Sequence, residues 1–174
     1  MIRSFKGHMP RIAGSAFVSE AAYIIGDVEI GENSSVWPGA VIRGDFGKIK
    51  IGKNTAIEDN CVVHSGSPRT DLSEMLIGDN VHIGHGAVVN GKRIGSHVLI
   101  GMNSTILHDV EIGDFCIIGA GSMVGQDMKI PQRSFVVGVP AKIKGEVTDE
   151  QLWWVKQAPL DYLKMAGQYK KEYG

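Results

Sequence analysis

The chain reads IGSHVLIGMNSTILHDVEIGDFCII over residues 94–118, and this stretch decides the fold. An isoleucine occupies every sixth position, at Ile94, Ile100, Ile106, Ile112 and Ile118. Simple alternation would indicate one ordinary strand, whereas a sustained period of six indicates short strands joined by tight turns. Three such units close one triangular coil, and stacked coils bury one another's aliphatic edge. The stretch therefore predicts a parallel β-helix.

The same period extends over most of the chain. Glycine often follows the aliphatic residue, and a small or β-branched residue usually lies two places before it. Both cysteines, Cys61 and Cys116, occupy that small position, so we expect them to fill the core. The other aliphatic positions are Ile12, Val18, Ile24, Ile30, Val36, Ile42, Ile51, Ile57, Val63, Ile77, Ile83, Val89, Val124, Ile130 and Val136.

Two interruptions break the period. The spacing grows to nine residues between Ile42 and Ile51, and to fourteen between Val63 and Ile77. We expect these segments to be loops that project from the solenoid. Function in repeat scaffolds often gathers beside such loops.

A helix is predicted after the repeats end at Val136. The segment Thr148–Gln151 has the pattern of a capping box, and an apolar side follows it. Pro159 is expected to kink or split this helix. We therefore predict a β-helix domain over residues 1–145 and a helical cap over 146–174 that packs on it.

Composition limits the functional classes. The 174 residues carry a formal net charge of −1, so nothing predicts a nucleic-acid partner. No apolar stretch approaches the ~20 residues of a membrane span, and the first residues lack the apolar core of a secretory signal. Two cysteines without paired spacing favour a cytoplasmic protein with reduced thiols.

The repeat also predicts where polar side chains lie. The residue after each aliphatic position points outward, which aligns Arg43, His64 and Asn90 in one column of coils ~4.8 Å apart. His85 lies at a corner, and the five residues to Asn90 span up to ~16 Å. If His64, His85 and Asn90 surround one ion, His85 must come from another subunit, as trimeric packing of triangular prisms would allow.

A solvated side chain is the simpler interpretation of any single outward histidine. We expect it for His8, His97 and His108. For His64 and His85, the residues alone leave both interpretations open.

Three motifs give the chain a resemblance to the γ-class carbonic anhydrase family over nearly its whole length. They are VIRGD (41–45), IEDNCVVH (57–64) and IGHGAVVNG (83–91). The segments 100–102 and 138–142 also fit. This resemblance implies an all-β, left-handed parallel β-helix of hexapeptide repeats with a C-terminal α-helical segment.

The resemblance further implies a homotrimer with zinc at each interface, held by two histidines of one chain and one of its neighbour. His64 and His85 match two of these ligands, but the third falls at Asn90, where this sequence departs from the family. An amide oxygen is a harder donor than the imidazole that zinc favours. The expected metal is Zn²⁺, with Fe²⁺ or Co²⁺ as alternatives, and His82 is an alternative ligand.

The resemblance also assigns roles around the ion. Arg43 and Asp45 match an interface pair that borders the site, and Arg43 would orient bicarbonate. Glu58 would accept or orient a proton of the attacking water, and Asp59 would brace the neighbouring subunit. The longer acidic loop that carries a proton-shuttling Glu in one branch is not evident at 65–76. The implied reaction is reversible hydration of CO2 to bicarbonate.

Two alternatives remain open at this point. One is a non-catalytic trimeric scaffold or binding protein with a degraded metal site, for which Asn90 is the best argument. The other is a CoA-dependent acyltransferase on the same fold, with His108 or His82 as its activated base.

Overall fold

The computed structural model describes residues 1–66 and 74–173. Short parallel strands wind through about seven coils of a left-handed β-helix, and one C-terminal helix, α1 (Asp149–Tyr173), follows. The strands are β1 (Ile2–Arg3), β2 (Arg11–Ile12), β3 (Phe17–Val18), β4 (Tyr23–Ile30), β5 (Ser35–Val36), β6 (Val41–Ile51), β7 (Ala56–Ile57), β8 (Val62–His64), β9 (Met75–Ile77), β10 (His82–Ile83), β11 (Val88–Val89), β12 (Arg93–Ile94), β13 (Leu99–Ile100), β14 (Thr105–Ile106), β15 (Glu111–Ile112), β16 (Ile117–Ile118), β17 (Met123–Val124), β18 (Lys129–Ile130), β19 (Ser134–Gly138) and β20 (Ala141–Glu146).

The core is the column of aliphatic residues that the six-residue period predicts. Ile42, Ile83 and Ile118 are fully buried, and both cysteines are free and 0% exposed. The β-helix prediction is thus confirmed, together with the inward position of Cys61 and Cys116. Each coil hydrogen-bonds to the next, so even strands of two residues find partners for their backbone N–H and C=O groups.

Asparagines turn the chain at one corner of the triangle. Asn33, Asn54 and Asn80 lie in successive coils with φ of 58°, 52° and 55°, the left-handed region that asparagine tolerates. Their amides form a ladder, with Asn33 Nδ2 donating to Asn54 Oδ1 at 3.3 Å and Asn54 Nδ2 to Asn80 Oδ1 at 3.2 Å. This ladder holds consecutive coils in register.

Three outward faces differ in their side chains. Half-buried and mainly apolar side chains line what we call the apolar face, formed by Tyr23, Val41, Val62, Val88, Thr105 and Met123. Alternating charges dominate the charged face, formed by Arg11, Glu29, Lys50, Leu76, Arg93, Glu111 and Lys129. The helix packs on the helix-covered face, formed by Phe17, Ser35, Ala56, His82, Leu99, Ile117 and Phe135.

The helix begins where the capping box predicts. Gln151 N–H donates to Thr148 Oγ1 at 3.2 Å, and Thr148 N–H donates to Gln151 Oε1 at 2.9 Å. Of the two effects expected of Pro159, a split does not occur, because α1 is one element from Asp149 to Tyr173; a kink stays a prediction. Pro159 is buried, so packing against the solenoid offsets the hydrogen bond that proline cannot donate.

Aromatic rings hold the helix on the solenoid. Trp37 contacts Tyr162 and Tyr169, with ring centroids 5.2 and 5.1 Å apart. Nearer the start of the helix, Leu152 and Val155 pack with Ile117 of the solenoid. The cap therefore packs on the β-helix as expected. Strand β20, antiparallel to β19, leads into it, and the boundary at residue 145 stays a prediction.

The first interruption differs from the expected loop. Residues 43–48 continue strand β6, and Gly26 and Val28 of β4 pair with Gly44 and Ile49. Three extra residues therefore bulge outward, and Phe46 among them is 72% exposed. Residues 67–73 of the second interruption lie outside the described residues. No helix in the described ranges is long and apolar enough to span a bilayer.

Candidate functional site

A polar column runs along the edge of the apolar face. Arg43 pairs with His64 in the neighbouring coil, and Asn90 lies in the coil after His64. Asn90 Nδ2 donates to the carbonyl oxygen of His64 at 3.1 Å. The stacking of these three residues is thus as the repeat predicts.

Arg43, Asp45 and His64 form one compact group. Arg43 Nη1 lies 3.1 Å from Asp45 Oδ2, and Asp45 Oδ1 lies 3.0 Å from His64 Nε2. Arg43 Nη2 also lies 3.2 Å from His64 Nε2. Because a guanidinium repels cations, an ion can bind His64 only if Arg43 turns away from this ring.

The bulge in β6 brings this group together. Gly44 lies where a Cβ would be 2.5 Å from the carbonyl oxygen of Asp27, so only glycine allows the two strands to approach. Directly after Gly44 the chain bulges outward, and Asp45 there contacts the His64 ring. Phe46 packs edge-on against the same ring, with centroids 5.7 Å apart. His64 is consequently shielded, with 18% of its side chain exposed.

A second group of side chains surrounds Glu58, which directly follows strand β7 of the helix-covered face. Glu58 is 3% exposed, and its Oε1 lies 2.7 Å from His82 Nε2. Its Oε2 accepts the backbone N–H of His85 at 2.7 Å and lies 3.2 Å from His85 Nε2. On the outer side of the same ring, His85 Nδ1 lies 3.0 Å from Asp59 Oδ2. His85 itself is 47% exposed, the most accessible member of the group.

Burial and hydrogen bonds act in opposite directions on Glu58. Burial alone would raise its pKa, but hydrogen bonds from the His82 and Tyr162 side chains lower the pKa below its ordinary value. Burial, together with the hydrogen bond to Glu58, raises the pKa of the Tyr162 hydroxyl. The carboxylate is therefore held ionised, beside a phenol that remains protonated.

The structure separates the predicted ligands within one chain. His64 and Asn90 belong to the polar column, and His85 belongs to the group around Glu58. Among residues 1–66 and 74–173, no three His, Cys, Asp or Glu side chains are arranged to hold an ion. The donor set suits a transition metal only if His85 approaches His64 and Asn90 from another chain. Exposed His85 and the open edge of the apolar face permit that approach.

The other histidines of the described chain differ in how far they are buried. His82 lies on the helix-covered face, away from Asn90. It is 8% exposed, and Tyr162 packs against its ring with centroids 4.9 Å apart. The expectation that His97 is solvated is wrong: its Nδ1 is buried and its ring stacks on Phe115 at 4.8 Å. His8 is exposed as expected, 3.6 Å from Asp27.

Sequence analysis missed Tyr162. It lies on the helix, 104 positions after Glu58, and no repeat register links the two residues. The outward residues of the helix-covered face carried a signal, because Phe17, Leu99 and Ile117 are too apolar for a solvated face.

Comparisons with known proteins agree with this architecture. A model of the family "Bacterial transferase hexapeptide (six repeats)" matches residues 91–126. A probable carbonic anhydrase of Methanocaldococcus jannaschii is 47% identical, over 89% of this chain and 95% of the relative. The chain therefore belongs to the γ-class carbonic anhydrase-like family of hexapeptide-repeat proteins.

Two further relatives show the range of this family. Gamma carbonic anhydrase 2, mitochondrial, of Arabidopsis thaliana is 38% identical over 90% of this chain, which spans only 57% of that relative's length. The crystal structure of a putative acetyltransferase of Bacillus cereus has a TM-score of 0.89 and 37% identity, covering 98% of this chain and 96% of the other. The names of these relatives thus refer to two different reactions, that of a carbonic anhydrase and that of an acetyltransferase.

Proposed function

We propose that the protein is a homotrimeric metalloprotein that hydrates CO2 reversibly to bicarbonate at sites between its subunits. One observation carries the proposal: His64 and Asn90 border an open apolar face, whereas His85 lies exposed in a separate group of the same chain. A site that needs all three residues is completed by a neighbouring copy. Free, buried thiols support the reducing, cytoplasmic location expected from the sequence.

The apolar face supports self-association. Six stacked outward positions there carry valine, threonine, methionine and tyrosine side chains without a formal charge, and each is half-buried. The charged face instead pairs its side chains across strands, as in Arg11 with Glu29 and Lys129 with Glu111 at 3.7 Å. The helix occupies the third face. Of the three faces in the described part of the chain, the apolar face therefore alone combines an open surface with apolar side chains, as an interface requires.

Each metal would be held by His64 and Asn90 of one subunit and His85 of the next. Zn²⁺ is the expected ion, with Fe²⁺ or Co²⁺ as alternatives, and such an ion supplies a water nucleophile near neutral pH by lowering its pKa to ~7. One amide oxygen in place of an imidazole weakens the site. We therefore expect lower metal affinity than a three-histidine site would have.

The residues around His64 suit an anionic product. Once Arg43 turns from the ring, its guanidinium can donate two parallel hydrogen bonds to bicarbonate. Asp45 would keep that guanidinium near the site through the contact it already makes. Glu58 contacts His82 Nε2 through one oxygen and the backbone N–H and Nε2 of His85 through the other. In this proposal it therefore directs the His85 ring as well as facing the water.

A second candidate function is acyl transfer from a CoA thioester, which the similarity to the Bacillus cereus structure favours. His108 is the remaining candidate base, since Glu58 and Tyr162 engage His82. Equilibrium dialysis with acetyl-CoA tests this function directly: saturable binding near one molecule per subunit would favour it over CO2 hydration.

The main test replaces Asn90 with the histidine that the family pattern leads us to expect there. We expect purified wild-type protein to bind about one Zn²⁺ per subunit weakly and to hydrate CO2 slowly. Asn90→His should tighten Zn²⁺ binding by about tenfold or more, since it supplies a third imidazole. Zinc affinity is measured by competition with a chromophoric chelator, and hydration by stopped-flow with a pH indicator.

His64→Ala is the matched control, because it removes a ligand from the same column and should abolish both properties. A wild-type protein that binds no divalent metal contradicts the proposal and favours the non-catalytic scaffold. Bound metal without hydration in either protein would retain the site and reject the reaction.

A further inference from the structure

The contact between His82 and Glu58 has a feature that the proposed reaction does not explain. His82 Nε2 lies 2.7 Å from Glu58 Oε1, and both residues are more than nine-tenths buried. The other ring nitrogen, His82 Nδ1, is also buried and has no hydrogen-bond partner among the described residues. A buried N–H without a partner is costly, so this ring is suited to donate from Nε2 alone, directly to the carboxylate.

The carboxylate of Glu58 links this buried histidine to the exposed one. Its Oε2 accepts the His85 backbone N–H at 2.7 Å and lies 3.2 Å from His85 Nε2. The two oxygens thus divide their contacts, with Oε1 facing His82 and Oε2 facing His85. If the carboxylate moved, the oxygen that contacts the His85 ring would move with it.

The C-terminal helix closes the group from outside. Tyr162 hydrogen-bonds Glu58 and packs edge-on against the His82 ring at 4.9 Å. Trp37, 5% exposed, packs against the other side of Tyr162 at 5.2 Å. A change of rotamer in Glu58 or His82 would therefore disturb this packing.

We propose that His82 is a positioning residue, which fixes Glu58 and thereby orients His85 for a metal shared with the neighbouring subunit. The inference rests on the proposed metal site and goes beyond it, because it extends the site to a buried residue that touches neither metal nor substrate. Ligating histidines commonly donate their second N–H to a carboxylate that fixes the ring. With Nε2 donating to Glu58, the His85 ring offers Nδ1 to the metal once Asp59 turns aside.

Two substitutions of nearly equal size separate positioning from packing. His82→Gln keeps an N–H donor within reach of Glu58, whereas His82→Met fills similar space without one. In full-length protein we expect Zn²⁺ affinity to fall about 10- to 100-fold in His82→Met. His82→Gln should stay within a few-fold of the wild type. Equal losses in both variants, or no loss in His82→Met, would overturn the inference.

A metal-free measurement keeps the inference independent of the proposed function. Two-bond ¹H–¹⁵N spectra of histidine-labelled protein in chelator report which His85 nitrogen carries the proton. We expect a protonated Nε2 in the wild type and in His82→Gln, and an altered pattern in His82→Met. An unchanged His85 pattern in His82→Met contradicts the inference, even where wild-type protein binds metal. Failure of the wild type to bind metal, with the expected spectra, contradicts only the metal site.

Discussion

Asn90 makes a structural contact that does not depend on the proposed metal. Its Nδ2 donates to the carbonyl oxygen of His64 in the preceding coil. The amide thereby holds the neighbouring strand in the manner of the asparagine ladder at the corner. Asn90 therefore serves the solenoid whether or not its oxygen binds an ion.

Glu58 makes a prediction about acid stability. Because its pKa in the folded protein lies below its ordinary value of 4.5, ionised Glu58 stabilises the fold above that pH. This contribution is lost as the pH falls from about 4.5 through the lower folded pKa. We expect Glu58→Gln to lower the melting temperature at pH 7 and to flatten its fall below pH 5.

The measurement is the melting temperature of metal-free protein between pH 3 and 7, followed by circular dichroism. Glu111→Gln on the charged face is the control, since that side chain is only half-buried, its contact with Lys129 is long at 3.7 Å, and its loss should change the profile little. Parallel profiles of Glu58→Gln and the wild type would contradict the stabilising role of the ionised carboxylate.

Residues differ in how far sequence alone could locate them. The period of six aligns Arg43, His64 and Asn90, because register in a repeat solenoid follows from counting. Counting could not reveal the surroundings of His97, whose ring lies at a corner with φ of 55° and stacks on Phe115. It also could not bring Tyr162 to Glu58, since that contact depends on where the helix docks.

At the scale of elements, the capping box determines where the helix begins. Thr148 accepts the N–H of Gln151 through its hydroxyl, which satisfies one of the unpaired donors of the first turn. Thr148→Ala should therefore lower the free energy of unfolding by about 1 kcal/mol. Urea unfolding followed by tryptophan fluorescence measures this, because Trp153 and Trp154 lie on the first turns of the helix.

Thr148→Ser is the matched control, because serine keeps the capping oxygen and should retain most of the stability. An alanine variant as stable as the wild type would show that docking on the helix-covered face, and not the cap, determines where the helix begins. Helix continuity through Pro159 was beyond sequence reasoning for a related reason. Proline lacks one backbone donor, but tertiary packing around its buried ring decides whether the helix continues.

At the scale of the whole molecule, the three faces divide the tasks of the solenoid. One carries paired charges, one receives the helix, and one presents apolar side chains beside His64. The helix also anchors Glu58 through Tyr162, so the cap contributes to the surroundings of His85. We therefore expect a single chain to fold with its proposed metal ligands apart, and the assembly to bring them together.

Subunit complementation tests the shared site most directly. Full-length His64→Ala and His85→Ala chains are prepared separately, then unfolded together and refolded in equal amounts, and bound zinc is measured in the purified trimer. Neither variant alone should bind zinc at the interface, whereas about one quarter of the interfaces in randomly mixed trimers combine an intact His64 with an intact His85 and should regain it. Mixed trimers that bind no more zinc than the separate variants, or either variant retaining wild-type zinc alone, would contradict the account.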